Sequence, residues 1–264
     1  MTKPSLTPVL FISHGAPLFA VSPGTSGPAL TAYGTQLQAT HTLKGIVIVS
    51  PHWMTEHLAV MRNPTPETYH DFGGFPPALY ELQYPAPGDI ALSDRVQALL
   101  TDAGLDPLQD PDRPLDHGVW VPLMHLFPNA DIPVVQVSLP SGWAPEQVFK
   151  LGQALQTLRE QGILLIGSGS MTHNLSEFFS GDRKPDPYVD AFCRWVEGTL
   201  VKGDSQALLD YAHQAPSAKR AHPSDDHFLT LFFAVGAAGA NATPHYLSRE
   251  VRYSMLAMDS ITFS

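Results

Sequence analysis

The chain has 264 residues and a formal charge of −10 at pH 7, from 25 acidic and 15 basic side chains, and 44% of its residues are hydrophobic. A surface of this sign repels nucleic-acid phosphates and anionic lipids, so we expect a small-molecule ligand and neither a nucleic-acid nor a membrane partner. The length allows one well-buried domain, and we predict a single domain over residues 1–264.

Short apolar runs alternate with helical patterns along the chain. The strands are predicted at residues 9–13, 45–50, 57–62, 132–138 and 162–167. The helices are predicted at residues 90–103, 120–127, 145–161, 187–201 and 225–235. This alternation predicts an α/β fold in which a central, mostly parallel sheet is flanked by helices. The segment 62–87, rich in Pro, Gly and aromatic residues, is predicted to cover the functional site as an ordered loop.

The cellular setting is predicted from cysteine usage and hydropathy. Cys193 is the single cysteine and cannot form an internal disulfide. Its position on an apolar helix face predicts an inert core thiol. No stretch approaches the roughly 20 apolar residues that a membrane span needs. We therefore expect a cytoplasmic protein.

Three histidines, His14, His52 and His173, each follow a predicted strand at or shortly after its end. Ligands of open α/β sheets bind in the crevice outside the carboxyl ends of the strands. One histidine there would be ordinary, but three in one crevice would repel one another once protonated. A bound cation is the simplest reason to assemble them, so the pattern predicts a metal site.

Two further histidines lie near predicted helix starts. His227 would lie in the first turn of a helix whose candidate N-cap is Ser224, and Asp225 and Asp226 compete with it as possible ligands. His117 is predicted to lie in a loop before a helix.

Seven short motifs, taken together, resemble the 4,5-DOPA type of extradiol aromatic ring-opening dioxygenases, which belong to the class III group. They are His14-Gly-Ala-Pro17, Ser50-Pro-His-Trp53, His70-Asp-Phe-Gly-Gly-Phe-Pro76, Tyr84-Pro-Ala-Pro-Gly88, Asp116-His-Gly118, His173-Asn-Leu175 and the segment 223–227. The resemblance runs from about residue 9 to 258, which is essentially the whole chain. It implies a catalytic domain with its active site at the carboxyl ends of the strands.

The resemblance also implies roles for individual residues. The metal ligands of the family fall on His14, His52 and His227, and its acid/base histidine falls on His173. His117 matches a histidine close to bound substrate or dioxygen. His70 is interpreted as structural or substrate-lining, not as a ligand.

The implied substrates are a small aromatic catechol and O₂, with Fe²⁺ as the ion expected for activity. The wider class has a glutamate as its third ligand, and His227 occupies that position here, as in DOPA-type members. Because three neutral ligands also suit Zn²⁺, zinc is a possible ion, and His173 is a possible fourth ligand. The alternative function is a zinc hydrolase that uses the same histidines to activate water. The sequence indicates no oligomeric state.

Overall fold

The computed structural model describes residues 6–178 and 185–264. The strands are β1 (Val9–Ser13), β2 (Gly45–Thr55), β3 (Ala59–Met61), β4 (Leu108–Asp110), β5 (Val134–Pro140), β6 (Ile163–Gly169), β7 (Pro244–Ser248), β8 (Val251–Arg252), β9 (Leu256–Ala257) and β10 (Ser260–Phe263). The α-helices are α1 (Ser26–Thr40), α2 (Ile90–Asp102), α3 (His117–Leu126), α4 (Pro145–Leu155), α5 (Leu175–Phe178), α6 (Pro187–Lys202), α7 (Ser205–Leu209), α8 (Tyr211–Gln214), α9 (Ala218–Ala221) and α10 (Asp226–Ala238). Short 3₁₀ helices span Pro17–Ala20, Pro77–Glu81 and Gln156–Gln161.

One eight-stranded sheet organises the chain, in the order β4-β3-β5-β2-β6-β1-β10-β7. Its four central strands, β5, β2, β6 and β1, run parallel. Within this sheet β3 pairs antiparallel with β5 on one side, and β1, β10 and β7 pair antiparallel on the other, while β8 and β9 form a separate antiparallel pair. The predicted α/β fold with a mostly parallel sheet flanked by helices is confirmed.

The central strands are buried on both faces, so they consist of nearly continuous apolar residues. In β2, Val47 and Val49 enter one hydrophobic cluster, in which the sheet packs against α4 and α10. Ile46 and Ile48 enter the other, which contains residues of α1 and α3. This division follows from the two-residue period of a strand. Cys193 packs against the first cluster, and burial raises the pKa of its thiol, as expected for an unreactive cysteine.

Some predicted boundaries were wrong. The strand β2 extends to Thr55, so His52 lies inside a strand, at an irregularity in the pairing with β5 between Val49 and Met54. The helix α3 begins at His117, three residues earlier than predicted, with Asp116 as its extended N-cap residue. The N-cap of α10 is Asp225, not Ser224, and no side chain caps this helix.

Other elements were not predicted or differ slightly in extent. The helix α1 has few apolar residues, and the strands β7 to β10 are short and only partly apolar, so neither gave a clear period. The predicted helix 145–161 is an α-helix up to Leu155 and a 3₁₀ helix afterwards. The predicted strand 57–62 is reduced to Ala59–Met61, and the strand predicted at 132–138 is Val134–Pro140. Among the described residues, none of the helices is long and apolar enough to span a bilayer.

Candidate metal centre

Five histidines meet at the carboxyl edge of the parallel strands, and all five were predicted from the sequence: His14, His52, His117, His173 and His227. Three of them lie in strands or helices, and two lie in segments that follow a strand. His14 follows β1, His52 lies in β2, His117 is the first residue of α3 and His227 is the second residue of α10. His173 lies in the turn after β6. The shared crevice expected at the strand ends is therefore present.

The rings of His14, His52 and His227 form a nearly equilateral triangle. Their centroids are 5.1 Å apart for His14 and His52, 5.4 Å for His14 and His227, and 5.1 Å for His52 and His227. An imidazole centroid lies roughly 3.2 Å from an ion bound at about 2.1 Å, so rings at tetrahedral angles around one ion are about 5 Å apart. The Nε2 atoms of His14 and His52 are 3.1 Å apart, close to the separation of two nitrogens bound to one ion. The centroid separations of this triangle therefore match those of three imidazoles around one ion.

His117 lies beside this triangle. One ring nitrogen from each of His14, His52 and His117 falls within 4.8 Å of the others, which makes His117 a geometric competitor of His227 as third ligand. Its ring, however, is only 3.9 Å from that of His52, at an angle of 42°. If both rings bound one ion, the angle between the two metal–nitrogen bonds would be less than 90°. The centroid distances therefore favour His227 over His117 as third ligand.

His173 stacks on His227, with ring centroids 3.6 Å apart and an interplanar angle of 11°. An imidazole binds a metal along a nitrogen lone pair, which lies in the plane of the ring. Two stacked and nearly parallel planes meet only far from both rings. His173 and His227 therefore do not point at one common ion in this arrangement.

Hydrogen bonds fix the tautomers of three rings. The Ser168 hydroxyl donates its proton to the Gly118 carbonyl oxygen. The hydroxyl oxygen of Ser168 is then the acceptor for His14 Nδ1, 3.0 Å away, so the proton of His14 lies on Nδ1. His227 Nδ1 donates to the Asp226 carboxylate at 2.5 Å, and His117 Nδ1 donates to Asp71 at 3.0 Å. In each ring Nε2 then carries the lone pair. Such partners orient metal-binding histidines and raise their basicity.

Burial and mutual repulsion lower the pKa values of four histidines at the site, namely His14, His52, His173 and His227. Burial is the main cause for His14, whose pKa falls well below the usual 6.5, and for His52 and His227, whose pKa values fall to about 4 and about 3. Neighbouring histidines lower each value further. The pKa of His173 is lowered as well, mainly by burial. All four rings are therefore neutral near pH 7, as metal ligation and proton acceptance require.

Two glycines allow the helices to approach the strands at the site. A Cβ on Gly118 would meet the Ser50 hydroxyl and lie 2.9 Å from His52 Cδ2 and 3.1 Å from His14 Cε1. A Cβ on Gly169, the last residue of β6, would meet the backbone carbonyl of His227. Close packing of α3 and α10 on the sheet thus brings their histidines to those of β1 and β2.

A buried carboxylate supports the strand that carries His52. Asp116 is fully buried and accepts hydrogen bonds from the Ser50 hydroxyl at 2.8 Å, Arg113 Nη2 at 2.6 Å and Gln136 Nε2 at 2.5 Å. Arg113 Nη2 also donates to the His52 carbonyl oxygen. The charge of Asp116 is paired, so the network fixes the floor of the site without an isolated buried charge.

The loop predicted to cover the site does contact it. Its Phe72 ring packs edge-on against His117, with centroids 5.7 Å apart, and Asp71 binds His117. His70 Nε2 donates to the Leu82 carbonyl oxygen, while its ring lies against Trp120. His70 holds the loop, as its structural interpretation expected.

Sequence reasoning missed the residues that orient the histidines. Asp71, Ser168 and Asp226 were not assigned these functions, and Asp226 was considered only as a competing ligand. Asp71 lies in the quoted motif His70-Asp-Phe and Asp226 in the quoted segment 223–227, next to His227, and these motifs were the available signals. The partner of an imidazole nitrogen is otherwise set by three-dimensional contact, which a single sequence does not reveal.

Taken together, an α/β sheet and a cluster of histidines at the ends of its parallel strands form a site that could hold a non-haem metal ion. Residues 8–263 match the family described as the catalytic LigB subunit of aromatic ring-opening dioxygenase. The chain therefore belongs to this family, whose members are non-haem metal enzymes.

Individual relatives agree. The chain is 35% identical over 264 residues to the 4,5-DOPA dioxygenase extradiol of Beta vulgaris, with 100% of this chain and 98% of the relative covered. It is 36% identical over 235 residues to the Escherichia coli K12 protein of the same name, covering 87% and 84%. The crystal structure of an uncharacterized protein from Escherichia coli K12 superimposes with a TM-score of 0.80 at 28% identity, covering 98% of this chain and 100% of the other.

These findings make the protein an extradiol ring-cleaving dioxygenase that acts on an aromatic substrate with O₂. The zinc-hydrolase alternative is not supported, because these relatives are named as dioxygenases.

Proposed function

We propose that this dioxygenase opens a DOPA-like catechol at an iron(II) ion held by His14, His52 and His227. The observation that carries this ligand set is the triangle of ring centroids, 5.1, 5.4 and 5.1 Å on a side. The tautomers of His14 and His227 support it, because both direct an Nε2 lone pair away from the partner of Nδ1. The resemblance to DOPA-type enzymes independently selects the same three residues.

Iron(II) in this site would supply open positions for both catechol oxygens and for dioxygen, and it would pass electrons between the two substrates. Both oxygen atoms would enter the product, and the carbon–carbon bond beside the diol would break, giving a muconic semialdehyde. Iron is preferred to zinc in this proposal because zinc has no redox step to offer.

His173 is proposed as the acid/base. Its lowered pKa keeps the imidazole neutral near pH 7, so a ring nitrogen can accept a hydroxyl proton from the bound catechol and later return it. Its stacking on His227 argues against a role as fourth ligand while His227 binds the ion. The same stacking places the His173 ring 3.6 Å from the ring of His227, a proposed ligand. A substrate chelated to the ion would lie close to both rings.

His117 is proposed to contact substrate or oxygen without binding the ion. Its Nε2 carries a lone pair because Nδ1 donates to Asp71. Phe72 and His70 extend an aromatic wall from His117 over the site. Such a wall suits the flat face of an aromatic ring. The DOPA-like substrate itself is inferred from the names of the relatives.

The test is to load metal-free protein anaerobically with Fe²⁺ and present a catechol panel that includes DOPA. We expect one O₂ consumed per catechol, with a coloured ring-opened product. Zn²⁺-loaded protein should bind catechol without turnover. Turnover with zinc in the absence of O₂ would contradict the proposal. His227→Ala and His117→Ala separate the two candidate third ligands, because only loss of a ligand should abolish binding of Zn²⁺.

Residence in the cytoplasm and the single-domain boundaries 1–264 stay predictions. Cell fractionation checks the first, and limited proteolysis checks the second.

A further inference from the structure

We propose that Asp71 is a positioning residue that holds His117 in the orientation the reaction needs. The expected effect on turnover rests on the proposed function, whereas the contacts of Asp71 with His117 do not. The side chain of Asp71 is 11% exposed, so its carboxylate faces the cluster with little competition from water.

The carboxylate contacts both the backbone and the ring of His117. Asp71 Oδ1 accepts the backbone N–H of His117 at 2.9 Å and lies 3.0 Å from its Nδ1. Asp71 Oδ2 lies 3.0 Å from the same Nδ1 and 3.7 Å from His52 Nδ1. An ionised carboxylate accepts hydrogen bonds and cannot donate, so the proton of His117 lies on Nδ1. His117 Nε2 is left as an acceptor.

The contact to the backbone of His117 has a second effect. His117 is the first residue of α3, so its N–H has no partner within the helix. The N-cap residue Asp116 makes no side-chain bond to α3, because its oxygens are taken by Ser50, Arg113 and Gln136. Asp71 therefore caps α3 from a distant loop, and its negative charge lies at the positive end of the helix.

The loop holds Asp71 in place through its own backbone. The Tyr69 N–H donates to the Leu115 carbonyl oxygen at 2.8 Å, and Trp120 Nε1 donates to the Tyr69 carbonyl oxygen at 3.0 Å. The Tyr84 N–H donates to the Thr68 hydroxyl at 2.8 Å. The first two bonds tie Tyr69 to the segment just before α3 and to Trp120 within α3, and the third ties Thr68 to another part of the same loop. The order of the covering loop and the orientation of His117 are thus coupled through one carboxylate.

The substitution Asp71→Asn tests this role with almost no change in volume. An amide offers one acceptor oxygen in place of two, and its NH₂ group faces a donor, so the Nδ1–H tautomer of His117 loses its fixed partner. Partners of this kind typically contribute about 10- to 100-fold in metal affinity or activity. We expect kcat on iron-loaded protein to fall by about that factor while KM for catechol stays within roughly threefold.

A readout independent of activity is the ¹⁵N NMR spectrum of the histidine rings in metal-free protein. In the parent, the His117 signal, assigned by its loss in His117→Gln, should show a protonated Nδ1. In Asp71→Asn it should become a mixture of tautomers. The matched control is Asp94→Asn, the same change at an exposed ion pair with Arg62, which should leave tautomer, kcat and KM unchanged.

A parent spectrum with the His117 proton on Nε2 overturns the proposal, whatever the variants do. It is also overturned if Asp71→Asn folds and retains both the parent tautomer and the parent kcat. Partial recovery of kcat in Asp71→Glu, which restores the charge with a longer side chain, supports it. If the iron-loaded parent opens no catechol ring, the proposed function fails, while the spectra still decide the role of Asp71.

Discussion

Gly118 offers a sharp test of how the scaffold builds the metal site. It lies in the first turn of α3, where a Cβ would meet the Ser50 hydroxyl and lie 2.9 Å from His52 Cδ2 and 3.1 Å from His14 Cε1. The alanine variant therefore pushes on two proposed ligands with a single added methyl group. Ser50 has little room to move, because its hydroxyl donates to the buried Asp116 carboxylate.

The expected cost combines two effects. Overpacking a well-packed core costs about 1–3 kcal/mol, and weakening the charged Ser50–Asp116 hydrogen bond adds about 1.5–3 kcal/mol when it is fully lost. Alanine recovers up to about 1 kcal/mol of helix propensity. We expect Gly118→Ala to lower the free energy of unfolding by about 2–4 kcal/mol. Displacement of the two imidazoles should weaken Zn²⁺ binding by roughly 10- to 100-fold.

The assays are thermal or denaturant unfolding of the metal-free protein and titration with Zn²⁺. The matched control is Gly198→Ala, an identical change in α6 at a glycine whose added Cβ meets nothing within 4 Å. It should raise stability by about 0.5–1 kcal/mol and leave Zn²⁺ affinity unchanged. Parent-like stability and metal affinity in Gly118→Ala would refute the reasoning, because the added carbon would then have found space that the structure does not contain.

Three further variants test other parts of the structure. His173→Gln should retain metal and bind catechol but lose about 10²- to 10⁴-fold in kcat as an acid/base variant; a loss of bound metal would instead make it a ligand, and near-normal turnover would leave it a packing residue. Asp226→Asn removes the acceptor for His227 Nδ1 and should lower Zn²⁺ affinity about 10- to 100-fold in a calorimetric titration. Burial raises the pKa of Asp259 to about 6 from 3.8, so the folded state binds its proton more tightly and stability falls as pH rises between these values. Asp259→Asn should therefore stabilise the protein at pH 7 by up to about 3 kcal/mol, with the gain shrinking toward pH 4 in urea unfolding; an equal gain at both pH values would exclude this origin.

The family resemblance and the strand positions together brought the site close to its final form. His14 and His52 were predicted from apolar runs such as residues 9–13, because a buried parallel strand has a simple sequence pattern and its carboxyl end has a known place in the fold. His117 was placed in a loop, although it is the first residue of α3. The error arose because helix starts are set by capping contacts, and here the cap comes from Asp71 in a remote loop.

The sequence by itself determined the α/β class, the approximate strands and the residue types that meet at the sheet edge, since these depend on local hydrophobic periodicity. The tertiary structure alone decided how far apart the imidazoles lie, which one stacks, and which nitrogen carries the proton. The 3.6 Å stacking of His173 on His227 depends on how α10 packs on β6 at Gly169. The tautomers of His14 and His117 depend on Ser168 and Asp71, which are distant in sequence and meet the rings only after the chain has folded. Local patterns carry no record of such contacts, because each joins a ring to an oxygen whose position is fixed by the packing of whole helices, strands and loops.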